Sequence, residues 1–135
     1  MPQYAEPFPE IRGVEAIFWA EAAKGRLVVQ RCRACRAWVH YPRISCPHCA
    51  AADPEWVTMS GRGRVYSFTV IQRAGTPAFR GEEPYTLAIV ELDEGPRLMT
   101  NIVDCPPEQV KIDMPVTVAY RPVNDEIAVP VFRPA

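Results

Sequence analysis

Four of the chain's five cysteines fall within "CRACRAWVHYPRISCPHC", as Cys32-x-x-Cys35, ten residues, then Cys46-x-x-Cys49. A Cys-x-x-Cys turn presents two sulfurs on one side of a tight loop, and each sulfur can fill one corner of a zinc ion's tetrahedron. One such turn alone is ambiguous, because redox enzymes use it too. Two turns separated by a hairpin-sized insert are far more specific. "RLVVQRC" leads into the first and "WVHYPRISC" into the second, and both read as strands. The pattern predicts two knuckles at the ends of a β-hairpin, a zinc ribbon whose metal substitutes for a core too small to fold alone. A catalytic zinc keeps three protein ligands and an open position. Four thiolates close the shell, so one structural zinc ion held by Cys32, Cys35, Cys46 and Cys49 is expected. His40 and His48 read as surface or outer residues rather than ligands. Cys105, alone in "VDCPPE", reads as a buried or half-buried spectator thiol.

The elements that must position this cluster are short. The chain has 135 residues, 48% of them hydrophobic, and 15 prolines, about twice the usual share. Proline leaves helix interiors and central strands, which argues against a helix bundle. Residues 11–24, "IRGVEAIFWAEAAK", carry Val14, Ile17, Phe18 and Ala22 at helical spacing, with Gly25 as the stop. From Trp56 the pattern changes to strands: "WVTMSGRGRVYSFTVIQ", "YTLAIVEL", "RLMTNIV", "PVTVAY" and "IAVPVF". In the first of these, Val65, Ser67 and Thr69 alternate against Tyr66, Phe68 and Val70. Five or six strands at short intervals fit a small barrel, and the five-stranded OB-fold matches the size. The expected architecture is mainly β: a helical segment over 1–25, a rubredoxin-like zinc ribbon over 26–53, and an OB-fold barrel over 54–135.

Charge adds one question. Residues 24–80 hold ten basic residues against two acidic ones, a net of +8, while residues 81–135 carry −6. A basic middle with Tyr66, Phe68 and Phe79 would suit single-stranded nucleic acid. The overall pI of about 6.1 speaks against that reading. The competing reading is a surface whose charges balance once folded. Glu91, Asp93 and Glu94 in "ELDEG" read as solvated acids before a turn. The N-terminal stretch "MPQYAEPFPEIRG" has no basic start or apolar core, and no apolar run approaches the roughly 20 residues of a membrane span. A cytoplasmic protein is expected.

In order and spacing, "FW" on the leading helix, "GRLVVQRC" entering "CRAC", "YPRISCPHC", "GRGRVYSFTV", "PYTLAIVELDEGPRLMTNIV" and the final "VFRP" resemble the DUF35 family. The likeness runs over nearly the whole chain. One departure is Asp113, where the family more often has glycine. The resemblance implies a zinc ribbon joined to an OB-fold, with structural zinc. It also implies a non-catalytic accessory subunit that docks on a thiolase-fold enzyme, be it a thiolase, acyltransferase or retro-aldolase, and helps form its acyl-CoA site or channel. The residues agree, since no Ser-His-Asp set is visible and both histidines sit in the ribbon. The loop from Arg73 to Tyr85 is longer than a barrel needs. Its Arg73 and Arg80 are candidates for CoA phosphates, and Phe79 and Tyr85, with Trp19 of the helix, for partner contacts.

Overall fold

The structure, a computed structural model, describes residues 13–73 and 81–135. One α-helix, α1 (Glu15–Ala23), leads among the described residues into three short strands, β1 (Val28–Arg31), β2 (Trp38–Val39) and β3 (Glu55–Thr58). They form an antiparallel sheet in the order β2-β1-β3. Five longer strands follow: β4 (Arg62–Ile71), β5 (Tyr85–Leu92), β6 (Arg97–Ile102), β7 (Pro115–Pro122) and β8 (Ala128–Pro134). They close into a barrel in the order β4-β5-β6-β8-β7. The expected mainly β architecture is present: one N-terminal helix, a zinc-ribbon region and a five-stranded OB-fold barrel. The ribbon's sheet reaches beyond residue 53, because Glu55–Thr58 pairs along the whole of β1, from Val28↔Thr58 to Arg31↔Glu55.

Gly25 ends α1 as its position suggested. It adopts φ +80, donates its N–H to the Ala22 carbonyl, and lets the Arg26 N–H reach the Glu21 carbonyl at 2.9 Å. These two bonds form a Schellman motif, which satisfies carbonyls that the helix end would otherwise leave open. The buried face of α1 is Phe18 and Ala22.

Strict alternation sorts the inner strands. β5 buries Thr86, Ala88, Val90 and Leu92 and turns Tyr85, Leu87, Ile89 and Glu91 outward. Phe132 of β8 and Val65 of β4 are wholly buried at the centre. Phe18, Leu27, Val28, Val29 and Met59 join the same core, so helix, ribbon stem and barrel share one apolar interior. The metal end of the ribbon has a separate and much smaller cluster: Cys32, Val39 and Cys46, with Ala51 against them.

Strand β4 departs from its sequence pattern. Val65 pairs with Val90, but Ser67 pairs with Ile89, so Tyr66 is an extra residue in a β-bulge. The side chains change face there. Val65 points inward together with Phe68 rather than with Ser67 and Thr69, and Tyr66 is left exposed beneath the Arg97 guanidinium, 3.8 Å away. At Gly63 a Cβ would collide with the Glu91 carbonyl oxygen, so only glycine lets β4 and β5 close there.

The turn at Asp113 keeps the shape a glycine would give it. Asp113 sits at φ +66, and its N–H donates to the Val65 carbonyl at 2.8 Å. Aspartate is among the few side chains that visit this region routinely. Its carboxylate also meets Arg64 at 2.6 Å. Asp113→Gly should therefore leave urea stability within about 1 kcal/mol of wild type, because glycine adopts this φ freely and an exposed ion pair contributes little. Asp113→Val should lose about 2 kcal/mol, because a β-branched residue is strained at positive φ.

Candidate functional site

The two knuckles are near copies of each other. The Cys32 carbonyl accepts from the Arg36 N–H at 3.1 Å, and the Cys46 carbonyl from the Ala50 N–H at 2.9 Å. The Cys32 N–H donates to Ala37 and the Cys46 N–H to Ala51, both at 2.9 Å. Arg36 and Ala50, each one residue past its second cysteine, lie at φ +64 and +65. That left-handed residue turns each loop back on itself, so that its two sulfurs face the same point. One sulfur of each knuckle is buried (Cys32, Cys46) and one is exposed (Cys35, Cys49).

The four sulfurs lie within 4.8 Å of one another. Cys32 and Cys49 are 3.5 Å apart, and Cys35 and Cys46 3.7 Å. A zinc–sulfur bond of about 2.3 Å implies a tetrahedron edge of roughly 3.8 Å, so the cluster has the size of a tetrathiolate zinc shell. No cysteine of the cluster is in a disulfide. Backbone N–H groups point at the sulfurs: Cys35 N–H at Cys32, 3.4 Å, and His48 N–H at Cys46, 3.3 Å. The Cys35 N–H brings the Cys32 thiol down to about 6. At Cys35 the Ala37 N–H acts in the same direction, but burial and the three neighbouring sulfurs outweigh it and push that thiol up to about 11. Four thiolates this close need a cation, and a closed sulfur shell leaves no position for substrate.

The insert between the knuckles is fixed by a residue whose role the sequence did not announce. Gln30 of β1 is buried, its Nε2 donating to the Arg43 carbonyl at 2.8 Å and its Oε1 accepting from the Arg43 N–H at 2.6 Å. This two-bond latch holds the segment His40–Pro42 against α1. His40 lies 5.8 Å from the Phe18 ring and 4.5 Å from the Tyr41 ring. Burial brings the His40 imidazole down to about 4, so it is neutral at physiological pH. His48 is exposed.

Two clefts beside the barrel are lined by candidate contact residues. The first, about 200 Å³, lies where α1, the ribbon insert, β6 and β8 meet, and Trp19, Tyr41, Met99 and Pro130 are among its walls. The second, about 210 Å³, is lined by Tyr85, Asn101, Cys105 and the ion-paired Glu82 and Arg121, whose charged groups are 2.5 Å apart. Of the candidate contact residues, Trp19 is therefore in the first cleft and Tyr85 in the second. Arg73 is exposed just beyond β4, at the barrel end where Ile71 pairs with Tyr85. Phe79 and Arg80 lie outside the described residues. The first cleft could have been anticipated in part: the alternation of Leu98, Thr100 and Ile102 inward leaves Met99 outward.

Two of the three acids of "ELDEG" are partnered rather than merely solvated. Glu91 accepts from Arg64 and Arg97, each at 2.9 Å, and Glu94 accepts from the Ser60 N–H at 2.7 Å. Arg33 and Arg36 likewise pair with Asp53 and Glu55. The pairs of Arg33 and Arg36 lie within the middle segment, while acids outside it meet Lys24 and Arg26 (Glu21) and Arg64 (Glu91 and Asp113). Among the described residues, no helix is long and apolar enough to cross a membrane.

Comparison with known proteins matches residues 19–55 to the family model described as "ChsH2, rubredoxin-like zinc ribbon domain". Residues 56–121 match "ChsH2, C-terminal OB-fold domain". The chain is 46% identical over 135 residues to a probable enoyl-CoA hydratase alpha subunit of Thermomonospora curvata, covering 99% of this chain and 41% of that protein. It is 38% identical over 102 residues to a DUF35 domain-containing scaffold protein of Methanocaldococcus jannaschii, covering 74% of this chain and 71% of that one. Among solved structures, a chain of an "Ltp2-ChsH2(DUF35) aldolase" superposes with a TM-score of 0.79 at 45% identity, covering 94% of this chain and 98% of that one. The zinc-ribbon match and the four-sulfur cluster together support a single structural zinc ion.

Metal analysis of the pure protein should find one zinc per chain. Cys32→Ser should lower that content and loosen the ribbon, because metal binding and local folding are linked, whereas Cys105→Ser should retain full zinc. His40 gives a second expectation. Its folded pKa lies below the unfolded value, so the unfolded chain binds the extra proton, and stability falls as pH drops from about 6.5 to about 4. The loss should reach up to roughly 3 kcal/mol, and in His40→Phe that part of the slope in acid denaturation should vanish.

Proposed function

The chain belongs to the DUF35 family, in its ChsH2-type arrangement of a rubredoxin-like zinc ribbon followed by an OB-fold domain, and from that premise we propose that it is a non-catalytic accessory subunit docking on a thiolase-fold enzyme. In this reading the partner is a thiolase, acyltransferase or retro-aldolase, and the docked chain helps form its acyl-CoA site or channel. Cys32, Cys35, Cys46 and Cys49 hold the structural zinc. Trp19, Arg73, Phe79, Arg80 and Tyr85 are the residues offered for contact with partner or CoA.

The observation that carries this reading is the correspondence with the DUF35 chain of the named aldolase, which includes both ribbon and barrel and almost all of each chain. Other relatives bear the name of scaffold proteins. The Thermomonospora and mycobacterial relatives are named as hydratase alpha subunits, and this chain spans 41% and 33% of their lengths. The chemistry of the residues supports a subunit role. The metal cluster has a closed donor set, and the ion-paired arginines suit a defined protein surface better than a nucleic-acid groove.

Co-expression with a thiolase-fold protein from the same cell should yield a complex that co-elutes on size exclusion. The isolated chain should show no thiolase, aldolase or thioesterase turnover of acyl-CoA, while the complex should turn over. Failure to co-elute, or activity of the isolated chain that survives repurification, would refute the reading. Tight binding of single-stranded DNA at physiological salt would favour the nucleic-acid alternative instead.

A further inference from the structure

The cleft between α1, the ribbon insert and the barrel has an unusual chemistry. Its rings come in a run: Trp19 packs edge-on against Phe18 at 5.1 Å, Phe18 lies 5.8 Å from His40, and His40 lies 4.5 Å from Tyr41. Phe18 is buried, whereas Tyr41 is 60% exposed and Met99 57% exposed. The cleft is thus apolar at its floor and open at its rim. Among the described residues one charged side chain lines it, Glu15, while Arg97 lines the adjoining cleft that shares His40, Tyr41, Leu98 and Met99. Among the described residues Glu15 has no hydrogen-bond or ion-pair partner, a state it shares with Asp93, Asp104, Glu108, Asp125 and Glu126, and of these six it is the one that lines this cleft.

An acid in the first turn of a helix is favoured by the helix dipole wherever it stands. Here it also sits beside four aromatic rings. Aromatic faces carry negative quadrupole density, and the rings that reach the rim, Trp19 and Tyr41, can attract a cation. The neutral His40 adds a ring and no competing charge. The positive end of α1 amounts to about half a charge, which the full charge of Glu15 exceeds. An uncharged ligand would leave Glu15 unmatched, and an anion would be repelled by it. A long cationic side chain matches both features, its apolar stem lying along Met99 and Pro130 and its head reaching the rings and the carboxylate.

We propose that this cleft is the socket for an arginine or lysine side chain presented by the partner subunit. The proposal rests on the docking function given above and adds to it a place and a chemistry. The partner's docking segment carries a basic anchor among apolar residues, and Trp19, Tyr41 and Glu15 receive it. The socket joins α1 and the ribbon insert to the barrel, so one anchor would grip all three parts of the chain.

The test uses the full-length zinc-loaded chain and N-acetyl-arginine amide, with the neutral isostere N-acetyl-citrulline amide as control. The Trp19 indole N–H resonance is identified by its loss in Trp19→Phe and followed during titration. Arginine amide should shift it in a saturable way, and citrulline amide should not. Glu15→Gln and Tyr41→Leu, with zinc content and melting temperature checked against wild type, should each weaken arginine-amide binding about five- to tenfold. Both should also weaken co-elution with the partner. No shift with either amide, or equal shifts with both, would overturn the proposal. So would arginine-amide binding combined with undiminished assembly of both variants, since the cation would then not be the partner's. A shift that depends on protein concentration without probe would identify a second copy as the occupant and would equally overturn it. If the wild-type chain assembles with no thiolase-fold partner, the docking function fails by that result alone, whatever the titration shows.

Discussion

Four sulfurs within 4.8 Å of one another are the constraint on which the ribbon depends. As thiolates they repel, and the apolar cluster around them is too small to hold them by burial, having Val39 as its one buried residue besides the cysteines. A divalent cation resolves both problems, because it neutralises charge and fixes four points of the chain in one step. The same points set the insert. Its two ends are knuckles, its middle is pinned by Gln30 to Arg43, and its inner edge packs His40 on Phe18. The zinc therefore shapes more than its own ligands: it positions the segment that forms one wall of the aromatic cleft.

The legible part of this structure was the part encoded by short-range pattern. Cysteine spacing announced the knuckles, and Gly25 announced the end of α1. "YTLAIVEL" and "RLMTNIV" read as strands, and both are strands of the barrel. The bulge at Tyr66 was not legible, because an alternating stretch does not show where the facing strand has one residue fewer. Its consequence is large, since every side chain beyond it changes face. Gln30 was equally silent. A glutamine inside "RLVVQRC" reads as one polar residue on a half-exposed strand, and only the insert folded over it explains why it is buried. Asp113 shows the converse case, where a departure from glycine left the turn unchanged because aspartate tolerates the same φ.

Segmental charge was legible but misleading. The +8 of residues 24–80 is real, yet Arg64 is matched by Asp113, 49 positions away, and by Glu91, 27 positions away. Charges distant in sequence are neighbours on a barrel, so a segment's sum says little about the potential at the surface it forms. The same holds for two acids of "ELDEG": Glu91 joins β4 to β6 through two arginines, and Glu94 ties the turn to Ser60 at the end of the ribbon stem.

The ribbon and the barrel are linked in a way that bears on how such a subunit behaves. Leu27, Val28, Val29 and Met59 of the ribbon stem belong to the barrel's core, while Cys32, Val39 and Cys46 form a cluster of their own. Loss of metal should therefore act on the far end of the ribbon first, where few apolar contacts resist it, and leave the barrel closed. The insert is tied to that end through both of its knuckles. Its His40 and Tyr41 form one side of the cleft whose other walls are α1 and the strands β6 and β8. A chain without zinc would keep its barrel and lose the geometry of the cleft, which makes the metal structural in a directed sense: it maintains a surface rather than the fold as a whole.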